Sequence, residues 1–303
     1  MSTHSRKIKR LGEFGLIDLI KGMVKAQTHV IKGIGDDCAV LPFTRKDFLL
    51  FTCDMLVEGV DFTKDDEPYL IGRKSLGCCL SDIAACGGIP CYAQISLGLP
   101  ANMLVSRLRQ LYQGIISQAK DFNVKLVGGD ISRSDKLIID VSLIGRVEKC
   151  NLALRQGARK KDIIFVSGRL GGSFYSRHLR FKPRIQEARY LVSNYKINSM
   201  IDISDGLIQD LAHILKQSGL GAVLFKDLIP VHNDARSFNE AIFMGEDFEL
   251  LFTLEPSEAQ RLLRSRKKRF YPIGEIVDKA KGLVLFDRNA RSARLKYSGF
   301  KHF

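Results

Sequence analysis

Three short apolar runs in this chain each end on a carboxylate, and that pattern limits the folds open to it. Phe48-Leu49-Leu50-Phe51 leads into Thr52-Cys53-Asp54, and Val124-Lys125-Leu126-Val127 leads into Gly128-Gly129-Asp130. Ser199-Met200-Ile201 leads into Asp202, Ser204 and Asp205. Runs this short, rich in Val, Ile, Leu and Phe, read as buried strands. Between them the apolar period becomes helical. Leu104, Leu108, Leu111, Ile115 and Ala119 share one face, as do Leu207, Ile208, Leu211, Ala212 and Leu215. Ser204 or Asp205 is expected to cap the second helix and Gly219 to stop it. Strand and helix patterns mix along the whole chain, so the expected class is α/β or α+β.

A length of 303 residues suits two domains, each with its own core. The seam is expected where the long strand pattern Leu137 to Val147 gives way to the polar connector Glu148-Lys149-Cys150-Asn151, dividing residues 1–148 from 149–303. No stretch nears the roughly 18 apolar residues of a membrane span, and the basic N-terminus lacks the apolar core of a signal peptide. Seven cysteines without a CxxC pair support neither a zinc site nor a disulfide framework. A reduced, cytoplasmic protein is expected. The formal charge is +14, concentrated at Arg6–Arg10, Arg177–Arg184 and the RSRKKR stretch at 264–269. No aromatic-interleaved RNA motif accompanies these clusters. They read as solvated faces, and nucleic acid is not expected as a partner.

Against that basic background the acids at element ends stand out. Asp37, Asp54, Asp82, Asp130, Asp202 and Asp205 sit beside glycine, serine or other small residues. Asp37 belongs to GIGDDCAVL, where two like charges are adjacent. Asp82 lies in the helical pattern GRKSLGCCLSDIAACGG, on a stripe of small side chains formed by Ser75, Cys78 and Cys86. One such aspartate alone reads as a cap or turn residue. Six together need a compensating cation once buried, and magnesium suits them because it takes oxygen ligands and substrate phosphates. The chain has no GxxxxGK[ST] loop, no kinase HRD or DFG and no HExxH. Two acids directly after Gly33-Ile34-Gly35 exclude a dinucleotide fingerprint, and the six histidines lack metal-ligand spacing.

Taken in order, GIGDDCAVL, TCDMLVEGVDF, LSDIAACGGIP, LVGGDISR, RQGARKKD, IDISDGLIQDLAHIL and GEDFELLFT resemble the thiamine-monophosphate kinase family, within the aminoimidazole ribonucleotide synthetase-like superfamily. The resemblance runs from about Gly12 to the C-terminal YSGFKHF. It implies a two-domain fold. An N-terminal domain would bind ATP and magnesium and join its sheet to that of a dimer mate, and a C-terminal α/β domain would follow. It implies ATP-dependent phosphorylation of thiamine monophosphate to thiamine diphosphate, with several Mg²⁺ ions and a homodimer. Carried over by motif, the metal ligands would be Asp37, Thr52, Cys53, Asp54, Asp82, Asp130, Asp202 and Asp205. ATP would meet Tyr112, Gly129, Asp130, Arg155 and Ser204, and the substrate would meet Asp61, Glu246 and Phe300. No side chain is expected to act as general base, because the acceptor phosphate already carries an ionised oxygen. Three positions depart from the family pattern: Asp61 where it usually has His, Cys53 where it has Thr, and Met244 where it has Gly. Another ATP-dependent reaction of the superfamily, or a catalytically degenerate RNA-binding protein built on the basic clusters, are the alternatives.

Overall fold

The computed structural model describes residue 8 and residues 11–24, 28–265, 267, 269–296 and 299. Within them the chain builds two sheets. The first contains β1 (Ala39–Pro42), β2 (Asp47–Val57), β3 (Ile89–Leu99), β4 (Lys125–Arg133) and β5 (Ile138–Glu148), in the order β1-β2-β5-β3-β4. All neighbours are antiparallel except β3 and β4. Helices α2 (Pro68–Ala85) and α3 (Val105–Asp121) belong to this unit, and α1 (Gly12–Met23) precedes it. The second sheet takes β6 (Ile163–Val166), β7 (Ser199–Asp202), β8 (Gly221–Phe225), β9 (Leu250–Leu254), β10 (Tyr271–Val277), β11 (Leu283–Phe286) and β12 (Ser292–Arg294), ordered β12-β11-β8-β10-β6-β9-β7. With it come α4 (Ser173–Ser176), α5 (Ile185–Asn194), α6 (Leu207–Ser218), α7 (Phe238–Phe243) and α8 (Pro256–Arg264).

Period-two burial shows how the sheets are covered. Phe165, Met200, Leu250 and Phe252 point into one core, which continues through α5 and α2 to the first sheet. Their neighbours Ile164, Val166, Ile201 and Leu251 point into a second core with α6 and α7. Strands β6, β7 and β9 of the second sheet are therefore buried on both faces, while β12 at its end is exposed. In β2, Leu50, Thr52 and Leu56 turn inward, while Phe51 (41% exposed) and Met55 (58%) turn out. Tyr92 on β3 is likewise exposed, so the first sheet has one open face. Helices α2 and α3 meet through glycines: a Cβ on Gly72 would stand 2.0 Å from the Leu111 carbonyl oxygen, and one on Gly114 1.9 Å from that of Tyr69.

Two local expectations change. The run at residues 124–127 predicts a buried strand, yet β4 closes the end of its sheet and is exposed along nearly its whole length. An edge strand has a neighbour on one side only, and apolar content cannot reveal which strand is last. Helix α6 does end at Gly219 with φ +69°, but its N-cap is Gly206, not Ser204 or Asp205. The free N–H groups of Asp205 and Gly206 are taken by the Asp210 carboxylate, each at 3.1 Å. Among the described residues no helix is long and apolar enough to cross a membrane.

Candidate active site: a carboxylate cavity between the sheets

A cavity of about 930 Å³ opens where the carboxyl end of β7 meets β2 and α2. The fold brings acids from distant segments to its wall. Alternation along β2 turns Thr52 and Asp54 toward α2, where Thr52 Oγ1 donates to Asp82. Asp202 ends β7, and Ser81, one residue before Asp82 on α2, donates to its Oδ2 at 2.6 Å. Asp37 arrives from the turn before β1. Carboxylate oxygens of Asp37, Asp82 and Asp202 lie within 4.8 Å of one another.

These acids are costly to ionise together. Burial, then the Asp37 charge, pushes Asp202 up to about 8 despite its Ser81 hydrogen bond. Burial and the charges of Asp54, Asp202 and Asp37 raise Asp82 well above the usual carboxylate range. Asp54 is pushed up to about 6, chiefly by burial. The same cause, with Asp205 and Asp202 adding to it, raises Asp210. Asp37 Oδ2 is buried and has no hydrogen-bond partner. Three converging carboxylates, one of them with a buried oxygen left without a partner, make a hard, oxygen-only donor set, which fits a divalent cation of the magnesium type.

The adjacent pair of GIGDD is held apart by cations of the chain itself. Asp36 takes Lys32 Nζ at 3.2 Å and the Arg155 backbone N–H at 3.2 Å. Asp37 Oδ1 takes Arg155 Nη2 at 2.6 Å and Nε at 3.2 Å. Burial first, then Asp37, pushes Asp36 up to about 6. Arg155 thus already faces a carboxylate, and any phosphate it binds must compete with Asp37. On the far wall, α1 contributes Glu13 and Phe14. The Phe14 ring lies 4.8 Å from that of His213 on α6, an imidazole that burial and the Arg155 charge depress to about 4.

In GEDFE each acid ties down a different segment. Glu246 meets Lys74 and His178, Asp247 accepts from the Gly171 N–H at 2.9 Å, and Glu249 pairs with Arg184 and accepts from Ser167. Glu246 (φ +67°) and Phe248 (φ +50°) hold left-handed backbone, a conformation that side chains normally avoid and that concentrates at binding sites. Asp61, at the family's histidine position, lines the cavity, but its Oδ2 is occupied by the Val57 N–H at 2.7 Å. It acts as the cap of its own turn.

The cavity therefore collects Asp37, Thr52, Cys53, Asp54, Asp61, Asp82, Arg155, Asp202, Ser204, Asp205 and Glu246. Cys53 reaches it from a position whose side chain alternates to the open face of the sheet, where burial and then Asp140 raise its thiol. Tyr112, Gly129 and Asp130 do not line it. Register places Asp130 opposite Ser96, Ser96 opposite Asp140, and Asp140 opposite Met55. Three strand spacings, about 14 Å, thus separate Asp130 from β2. Phe300 lies outside the described residues. Sequence reasoning passed over Lys74, Asp210 and His213, and it expected a divalent cation between Asp36 and Asp37 where the structure places Lys32 and Arg155 against them. Asp210 had a readable signal, an acid inside the apolar stripe of α6. Lys74 had none, since a lysine on a helix reads as solvent-facing.

Comparison with known proteins follows the same segments. Residues 35–147 match the family model of the AIR synthase related protein N-terminal domain, and residues 160–286 match that of its C-terminal domain. The thiamine-monophosphate kinase of Aquifex aeolicus is 34% identical, covering 98% of this chain and 100% of the relative. That of Bacillus subtilis is 32% identical, covering 97% and 100%. The solved structure of AaThiL complexed with AMPPCP and TMP superposes with a TM-score of 0.86 at 32% identity, covering 99% of each chain.

Proposed function

This chain belongs to the AIR synthase related proteins, in their thiamine-monophosphate kinase branch, and from that premise we propose that it transfers the terminal phosphoryl group of ATP to thiamine monophosphate, giving thiamine diphosphate and ADP. The observation that carries the reading is the meeting of Asp37, Asp82 and Asp202, from three separate segments, in one buried cavity. In the transfer, an oxygen of the acceptor phosphate forms a bond to the γ-phosphorus as the bond to the β,γ-bridging oxygen breaks. Such a reaction asks for in-line positioning and for neutralisation of spread negative charge, with little covalent chemistry from the protein.

Asp37, Asp54, Asp82, Asp202 and Asp205, with Thr52, would hold magnesium ions, which when bound offset the charge of the two phosphate-bearing substrates. The remaining residues position and exclude. Arg155 offers a planar fork matched to phosphate geometry once released from Asp37. Ser204 stands at the turn into α6. Glu246 and Asp61 define the acceptor side. Gly129 and Asp130 lie on the exposed edge strand β4, at the end of a sheet with one open face, and Tyr112 lies on α3, half-buried against the core of the same unit. We propose that a second copy of the chain covers this face, so that each cavity is completed by Tyr112, Gly129 and Asp130 of the other copy. The exposed Phe51, Met55 and Tyr92 and the unpaired edge of β4 support that assembly. Seven free cysteines suit a reducing compartment such as the cytoplasm.

The direct test is incubation of purified protein with ATP, Mg²⁺ and thiamine monophosphate, with product read by chromatography. Magnesium-dependent appearance of thiamine diphosphate with one ADP per turnover is expected. Nucleotide turnover without that product would move the chain to another reaction of its superfamily.

A further inference from the structure

Lys74 has the largest side chain in the fully buried interior, with 1% of the residue exposed. Its ammonium lies behind the cavity wall and reaches three segments at once. It donates to the Asp61 carbonyl oxygen at 2.9 Å, in the turn after β2. It donates to Glu246 Oε1 at 2.7 Å and Oε2 at 2.5 Å, in the turn before β9. His178, after α4, brings Nδ1 to 3.3 Å of the ammonium and 3.1 Å of Glu246 Oε2. The Glu246 backbone is fixed as well: its N–H donates to the Ser204 carbonyl at 2.7 Å, and its own carbonyl accepts from Ser173 Oγ at 2.6 Å.

Stability does not explain a lysine here. A buried ion pair returns little beyond its desolvation cost, and an apolar side chain of similar length would fill the same space. What lysine alone supplies is a three-proton donor that binds two cavity-lining groups from different sheets through one atom. Asp61 and Glu246 both face the cavity, whereas Lys74 is behind it.

We propose that Lys74 is a positioning residue of the acceptor site: by gripping Glu246 and the Asp61 carbonyl together, it sets the wall against which thiamine monophosphate is held. This rests on the functional reading above. Because Lys74 touches neither the aspartate cluster nor Arg155, its removal should act on the acceptor and spare the nucleotide.

The test is steady-state kinetics of Lys74→Met and of the charge-neutral pair Lys74→Met/Glu246→Gln, each with thermal melting. Glu246→Gln alone is assayed beside the pair, so that if the single Lys74 variant, left with an unpaired buried carboxylate, fails to fold, the effect of Lys74 is read as the rise in the pair over Glu246→Gln. Expected in the folded variant is a KM for thiamine monophosphate raised roughly tenfold or more, the size of a lost hydrogen bond to a charged group, with the KM for ATP within about twofold of wild type. Equal rises in both constants, or an unchanged KM for thiamine monophosphate in a folded variant, would overturn the proposal. Wild type assayed alongside separates the two levels: no thiamine diphosphate from wild type would fault the functional reading and not the role of Lys74.

Discussion

At the scale of single residues, the site is a concentration of carboxylates that the fold makes unfavourable in the absence of a cation. Asp202 is the clearest case, fully buried, raised by Asp37 and bonded to Ser81. Asparagine there keeps the shape and the Ser81 contact and is already neutral, whereas the aspartate, pushed up to about 8, must take up a proton on folding at neutral pH. Asp202→Asn should therefore melt at or above the wild-type temperature at neutral pH without magnesium, while turnover falls by about a hundredfold or more. Melting curves and turnover on the same preparation check both halves, and near-wild-type turnover would remove Asp202 from the metal set. The sequence led to this aspartate through its IDISDGL context. Asp61 shows the limit of that approach. Its departure from histidine was visible, but only the structure shows its carboxylate accepting the Val57 N–H.

At the scale of elements, the two units are joined by side chains at the ends of strands and helices. Glu148 closes β5, and Arg189 on α5 donates to it at 2.8 and 3.0 Å while also reaching the Gly87 carbonyl at 2.8 Å. The Arg189 hydrogen bonds, ahead of every other cause, hold Glu148 down at about 2 against an ordinary 4.5. A carboxylate depressed on folding adds stability that is present above the unfolded value and lost as pH falls through the folded one. The contribution should be whole above about pH 4.5 and fade toward pH 2. The pair is partly exposed, so its worth is modest, about 0.2–1 kcal/mol. Glu148→Gln should lower the melting temperature by a degree or two at pH 6 to 7, with the gap closing toward pH 2 as far as the fold survives. A gap that stays constant with pH would show that the ion pair is not its source. The strand pattern and the polar connector that follows it announced the end of β5. The partner on α5, 41 residues away, had no local signal.

At the scale of the whole molecule, one chain does not bring all of the expected groups together. Eleven of the expected groups line the cavity, while Tyr112, Gly129 and Asp130 stand apart from it. If each cavity borrows Asp130 from a second copy, two inactive variants should complement one another. Asp130→Asn and Asp202→Asn, each weak alone, should recover roughly a quarter of wild-type turnover after co-refolding. Random pairing makes half of the dimers mixed, and each mixed dimer has one intact site. No recovery in a mixture shown to contain mixed dimers would confine the working site to a single chain.

What the sequence by itself determined was local and chemical. Apolar period separates strand from helix because backbone geometry alone sets which side chains share a face, and motif order led to the family and its reaction. It could not say which acids meet. Asp37, Asp82 and Asp202 converge, and Asp130 does not, because strand order and register are set by packing between segments far apart in the chain. The tertiary structure also decided that Lys74 is buried and that β4 is an edge. Both depend on what lies beside an element, and neither is encoded in the element's own period.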